Sequence, residues 1–327
     1  MNPILHREVT FDNPFLLSDG IGSSGKRLLA HIAATVEGVE KLTHNPWFEM
    51  VATLHWLNQL STDSAVALLR TEADRHTYHL FLGRDVNLRR GDTTGIFSNP
   101  RPLRYLTRIL RQREGEAAVE GIRRAKPIVN EGTHDGLRSA PLFEKAFGDR
   151  LLLLHVVRHP ADLALDWLRR GFDETRFGVD PRETQLLLRR MEHIEPIFLL
   201  REDPGSFTRL VGKEQVLAML AFCYEENLAG LKGMSNLDRT RIYSFEELVA
   251  NPNGLLCDIE GLIGRTRANS PRRMFRKEGV PRTPLPPVRR EAELNPRTSA
   301  KASEYYERCL AAYEEFVQLR TPLMGSR

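Results

Sequence analysis

Residues 18 to 32 read SDGIGSSGKRLLAHI, and from Gly20 the spacing is Gly-x-x-x-x-Gly-Lys. A glycine-rich turn of this kind lets backbone N–H groups converge on phosphate oxygens, and the helix that follows adds its dipole. Gly20, Gly22 and Gly25 supply flexibility, Ser23 and Ser24 supply hydroxyls, and Lys26 supplies a point charge. A nucleotide hydrolase places Ser or Thr next, to hold a magnesium ion. Here that residue is Arg27, whose guanidinium carries no acceptor atom for a metal. The loop therefore predicts an anion site without an obligatory metal, Arg27 adding donors to a second phosphate or a sulfonate.

The most apolar stretch, LLLLHVV, ends in Arg158. A magnesium-dependent ATPase would end its partner strand in an acidic residue. A cation at that position instead sits where ligands bind in open α/β sheets, with pairing to a nearby carboxylate as the structural alternative. Two cationic strand ends favour a ligand with two separated phosphate groups. His76 and His79 lie three apart, but no third residue completes a metal spacing. They read as core or loop histidines, or as lining of an acceptor pocket. Arg101, Arg104, Arg108 and Arg111 share one helical face and read as a solvated basic stripe, with an anionic acceptor second and nucleic acid a distant third. Asp162 and Glu246 are expected to hold backbone or cationic side chains, and VLAMLAFCY to pack in the core.

These residues need a frame. NPFLLSDG reads as a strand ending in a turn, and KRLLAHIAATVEGVEKL as a helix with Leu28, Leu29, Ile32, Val36 and Val39 at helical spacing. Residues 46 to 75 continue as helix, TYHLFLGRDVNLRRGDTTGIFSNP forms a loop or short hairpin over the site, and helix returns over RPLRYLTRILRQREGEAAVEGIRRA. KPIVNEG, DRLLLLHVVRHP and RTRIYS supply three more strands, with helical stretches from the third to about residue 233. Alternating strands and helices predict an α/β fold, a central parallel sheet flanked by helices, of the P-loop nucleotide-binding type. The expected organisation is one domain over 1–327, a helical cap on the acceptor side at 40–126, and a Pro/Arg-rich arm at 270–297.

Composition sets outer bounds. With 41% hydrophobic and 28% charged residues, 327 residues can bury a sizeable core, and a net charge of +4 does not by itself argue for nucleic acid. Cys223, Cys257 and Cys309 are widely spaced, which favours a reducing compartment over a disulfide framework. The first residues lack the pattern of a signal peptide. No run approaches the ~18 apolar residues that span a bilayer. A cytoplasmic protein with no membrane partner is the expectation.

Three segments, in order, resemble the sulfotransferases that use 3′-phosphoadenosine-5′-phosphosulfate (PAPS). GSSGKRLL resembles the family's 5′-phosphosulfate loop, LLLLHVVRHPADLALDW its strand and Arg-x-Pro-x-Asp, and RIYSFEELVANPNGLLCDIEGLIG the strand and helix that follow. The likeness covers most of the chain except residues 40 to 125. It implies that Gly22, Ser23, Ser24, Gly25, Lys26 and Arg27 embrace the phosphosulfate, Arg158 takes the 3′-phosphate and Phe245 approaches the adenine. Arg276 and Lys277, in FRKEG, loosely resemble an arm that closes on the 3′-phosphate. The family's basic residue before Ser-Gly is Ser23 here, and its paired threonines are Lys26 and Arg27, so the charge has moved along the loop. The serine that bonds the 3′-phosphate is replaced by Asp166, which must turn away, or leave the phosphate held differently, or signal another donor.

The resemblance also implies in-line sulfuryl transfer to a hydroxyl or amine of a small molecule or glycan-like acceptor, with no metal required. Lys26 would neutralise the leaving group, and a base would stand just after the second predicted strand, where Glu131 and His134 are the candidates. A homodimer is the family's frequent form. A P-loop ATP- or GTP-dependent kinase and a non-catalytic nucleotide-binding relative are the rival readings.

Overall fold

A computed structural model of the chain describes residues 4–111, 114–172, 186–268 and 270–323. The chain forms β1 (Phe15–Asp19), β2 (Val39–Thr43), β3 (Ile128–Gly132), β4 (Leu151–Val157), β5 (Leu187–Arg190), β6 (His193–Pro196) and β7 (Thr240–Ser244). Five of these make one parallel sheet in the order β2-β3-β1-β4-β7, while β5 and β6 pair separately as an antiparallel hairpin. Helices cover both faces, as the sequence predicts, and the alternation along the strands shows why. Leu151, Leu153 and Val157 of β4 enter one core with the helices Lys213–Lys232 and Ala300–Leu319, whereas Leu152, Leu154 and Val156 enter the other with Lys26–Ala33 and Pro252–Ile263. A strand buried on both faces reads as a continuous apolar run, which made LLLLHVV conspicuous.

From β1 the chain moves first to β2 and β3 on one side, then to β4 and β7 on the other. The turn after β1 thus lies at a switch of direction, where open α/β sheets bind ligands.

Strands β2, β5 and β6 differ from expectation. The helix that begins at Lys26 stops at Ala33, and the residues expected to continue it supply β2. Val36 and Val39 fit helical spacing, but Gly38 takes φ +80°, a left-handed conformation that ends any helix through it. The parallel partner β3 then captures Val39 to Thr43. The expected helix over 46–75 is also two, Pro46–Trp56 and Thr62–Leu82, the second capped by Ser61. The β5–β6 hairpin interrupts the region expected to be helical up to residue 233, of which residues 173–185 lie outside the described residues.

Among the described residues, Arg101, Arg104 and Arg108 of the expected solvated stripe are instead paired with the protein. Arg101 Nη2 donates to the carbonyls of Ala34, Val36 and Val39 at 3.2, 3.2 and 2.9 Å. Arg108 grips Glu40 of β2 with two 2.8 Å bonds, joined by Arg104 at 3.1 Å and the Tyr105 hydroxyl at 2.8 Å. The helix Pro102–Arg111 therefore clamps the edge strand; the side chain of Arg111 lies outside the described residues. Burial opposes ionisation of Glu40, but Arg108, Arg104 and Tyr105 together hold its carboxyl below the usual carboxylate range. Among the described residues no helix is long and apolar enough to cross a membrane.

Candidate active site

A cleft of about 910 Å³ opens at the carboxyl ends of the strands. Its floor is the turn from β1 into the helix Lys26–Ala33, where Gly20 (φ +153°), Ser23 (φ +74°) and Gly25 (φ +105°) take conformations that curl the backbone. Gly25 needs to be glycine twice over, since a Cβ there would stand 2.5 Å from the Phe245 ring. No side chain caps this helix, so its first N–H groups remain to serve an anion. Ser23, Gly25, Lys26 and Arg27 line the cleft. Gly22 and Ser24 support it from behind: the Gly22 carbonyl accepts from Trp167 Nε1 at 3.0 Å, and Ser24 is buried.

Lys26 Nζ donates to the Gly20 carbonyl at 2.9 Å. Burial pulls its pKa down to about 8, with Glu49, Asp19 and Asp135 pulling the other way. Beneath it, fully buried Asp19 ties three strand ends together. Its carboxylate accepts from His155 Nδ1 and Thr133 Oγ1 at 2.7 Å, and from the Gly136 and Leu137 N–H groups at 2.7 and 3.1 Å. Burial alone would favour the neutral acid; the bonds from His155 and Thr133 and the charge of Lys26 outweigh it and keep Asp19 ionised.

On the β4 side, Arg158 lies in the cleft wall, its guanidinium 4.3 Å from the centre of the Phe245 ring. It donates to the Ser23 carbonyl at 2.9 Å and to Asp162 at 3.1 Å, so strand-end cation and loop are one unit. Asp162 also receives Arg290 at 2.9 Å, and Glu246 accepts from the His159 N–H at 3.4 Å, the bracing roles expected of both. Asp166 does not turn away. It lines the cleft, accepts from Ser23 Oγ and lies 3.8 Å from Arg170, which itself donates to Ser23 Oγ at 2.8 Å. From the arm, Lys277 lines the cleft and Arg276 does not; Arg282, which the sequence did not single out, does. Arg282 lies 5.7 Å from the Phe245 ring centre, and its N–H bonds the Val249 carbonyl at 2.8 Å. The loop bearing Asp92, Thr93 and Thr94 closes another side, anchored where His31 Nε2 meets the Thr93 carbonyl at 3.1 Å.

The two candidate bases have different surroundings. Glu131, at 0% exposure, accepts from Thr43 Oγ1 at 2.6 Å and from the Asn45 N–H, with His76 Nε2 3.4 Å away. It lies under the cleft floor, not in the wall. His76 is thus a core histidine: desolvation opposes its protonation, but Asp85 and Glu131 raise its pKa to about 9. His134 does line the cleft, and also a neighbouring recess floored by Met50, Phe143, Ile197 and Phe198. Glu49, from the helix Pro46–Trp56, accepts from the His134 backbone N–H and lies 3.1 Å from His134 Nδ1. Desolvation and the nearby Lys26 lower the His134 pKa, leaving a neutral imidazole. The ring of His44 stands edge-on to His134 at 5.0 Å. Glu49, His44, Arg170 and Arg282 were missed because their own segments carry no motif; only folding brings them to the loop.

No protein-family model and no curated protein matches the sequence. Among solved structures, the chain is similar to a sulfotransferase from Alicyclobacillus acidocaldarius, at 16% identity and a TM-score of 0.39 over 95% of this chain and 97% of that one. It is also similar to the sulfotransferase domain of the Synechococcus PCC 7002 olefin synthase, at 14% identity and a TM-score of 0.41 over 94% and 98%. A third is the sulfotransferase domain from the curacin biosynthetic pathway, at 12% identity and a TM-score of 0.40 over 86% and 97%.

Proposed function

We propose that this chain is a PAPS-dependent sulfotransferase acting on a hydroxyl or amine of a small molecule or glycan-like acceptor. The observation that carries the reading is the convergence of Lys26, Arg27, Arg158, Lys277 and Arg282 on one cleft from three separate segments. That many cations around a phosphate-type loop suit a donor with two separated anionic groups. Phe245 lines the same cleft, with the Arg158 and Arg282 guanidiniums 4.3 and 5.7 Å from its ring centre, and its ring would approach the adenine.

In the proposed reaction the acceptor's lone pair forms a bond to sulfur as the bond from sulfur to the bridging phosphate oxygen breaks. Adenosine 3′,5′-bisphosphate leaves, and the acceptor's proton passes to His134 Nε2, since Nδ1 faces Glu49. Lys26 stands between loop and base and neutralises charge growing on the leaving oxygen. The acceptor would enter from the cleft side of His134, beside His44 and the loop bearing Asp92, Thr93 and Thr94.

Calorimetric titration with adenosine 3′,5′-bisphosphate, beside ATP with and without magnesium, tests the reading. The expected result is micromolar bisphosphate binding that ignores magnesium and is lost in Arg158→Ala. Magnesium-dependent ATP binding with no response to the bisphosphate would overturn it in favour of a kinase. Silence toward both would leave a binder of some other ligand.

A further inference from the structure

We propose that His44, Glu49 and His134 form a binding site for one divalent transition-metal cation of the zinc class. One ligand atom from each of the three lies within 4.8 Å of the other two. Two imidazoles and a carboxylate are a three-ligand set that leaves a fourth position for water or another small ligand. Bonds of about 2.0–2.2 Å require the three atoms to draw in by roughly an ångström. The surroundings allow it, because the His134 side chain is 43% exposed and His44 is exposed at the cleft rim.

A second observation concerns orientation. His44 Nδ1 lies 3.0 Å from the Gly132 carbonyl, a bond that places the ring's proton on Nδ1 and leaves the Nε2 lone pair free. Metal-binding histidines are held this way, by a backbone carbonyl on the opposite nitrogen. Glu49 is likewise fixed, through the His134 backbone N–H. The neighbouring cation, Lys26, is turned to the Gly20 carbonyl. Among the described residues the cysteines are free thiols, with Cys223 and Cys309 buried away from the cleft.

The site shares the cleft with the phosphate loop but uses none of its residues, so metal binding does not depend on the sulfotransferase reading. If that reading holds, the two uses exclude each other: a cation held by Glu49 and His134 Nδ1 moves the ring proton to Nε2, removes the lone pair the base needs, and acts as an inhibitor.

Titration of the untagged protein with Co²⁺, followed by visible absorption, tests the site. Intense d–d bands of a four-coordinate ion are expected, saturating at about one equivalent and displaced by Zn²⁺. His44→Ala and Glu49→Gln should each weaken the affinity about a hundredfold while circular dichroism and thermal melting show both variants folded. Should the variants melt early, Zn²⁺ protection of His134 from diethyl pyrocarbonate in the wild-type protein gives the same answer. A spectrum that stays that of hexaaqua cobalt, bands that survive in both variants, or unprotected His134 would overturn the proposal. Bisphosphate calorimetry is independent of all these readouts, so failure of the metal site and failure of the enzymatic reading are told apart.

Discussion

Glu49 Oε1 lies 3.1 Å from His134 Nδ1 and also accepts the His134 backbone N–H, which fixes the imidazole at both ring and main chain. The two residues come from different elements, a helix beyond the edge strand and the turn after β3. Their meeting defines which face of the histidine is left for an acceptor.

If His134 is the base, His134→Ala should lower kcat by about 10²–10⁴-fold while leaving bisphosphate binding intact. Glu49→Gln, which loses orientation but no volume, should cost about 10²-fold in kcat with little change in KM. Initial rates with any accepted acceptor, paired with bisphosphate calorimetry, check both. Equal loss of donor binding would place the pair in the donor site.

Two glycines of the loop make a matched test. Gly25→Ala puts a Cβ 2.5 Å from Phe245 at φ +105°, and should abolish bisphosphate binding. Gly22→Ala meets only Trp167 at 3.5 Å or beyond, an ordinary contact, and should keep binding within a few-fold of wild type. Calorimetry on both variants decides; equal behaviour would mean that the loop does not hold the ligand.

Asp166 faces the cleft beside Ser23 and Arg170, with its side chain 36% exposed. Its charge next to a bound phosphate is unfavourable but screened. Asp166→Ser should therefore tighten the bisphosphate by up to about fivefold. Weaker binding in the variant would show instead that the carboxylate is needed to hold Ser23 and Arg170 in place.

The clamp on β2 predicts acid sensitivity. The folded-state pKa of Glu40 is depressed, so its contribution to stability is full above the unfolded value, near 4.5, and is lost as pH falls through the folded one. Glu40→Gln should cost about 3–5 kcal/mol at pH 7, because it leaves buried Arg108 without its carboxylate. Denaturant unfolding at pH 7 and below pH 4 should show the gap between wild type and variant narrowing with acid. A constant gap would mean that the charge of Glu40 is not what holds the strand.

The strands around the loop were legible because burial on both faces leaves an unbroken apolar signature, as in LLLLHVV. β2 was not, because VEKLT carries two adjacent charged residues, Glu40 and Lys41, which give neither an apolar run nor a clean alternation. Glu40 and Lys41 are buried at 1% and 3% exposure only because Arg108, Tyr105 and neighbouring groups meet them there. The same tertiary pairing turned the expected solvated arginine stripe into a clamp. A residue's spacing cannot reveal a partner more than sixty positions away.

By itself the sequence determined that a glycine-rich turn would follow a buried strand, that Lys26 and Arg27 would open the next helix, and that Arg158 would end the most apolar strand. Those are local consequences of composition and periodicity. Only the tertiary structure decided that Glu131 lies beneath the cleft floor while His134 faces the cleft, that Glu49 and His44 join His134, and that Arg282 rather than Arg276 reaches the cleft. Such choices depend on which side of a strand end a side chain leaves and on what packs there. They are fixed by long-range burial and charge pairing that no short stretch encodes.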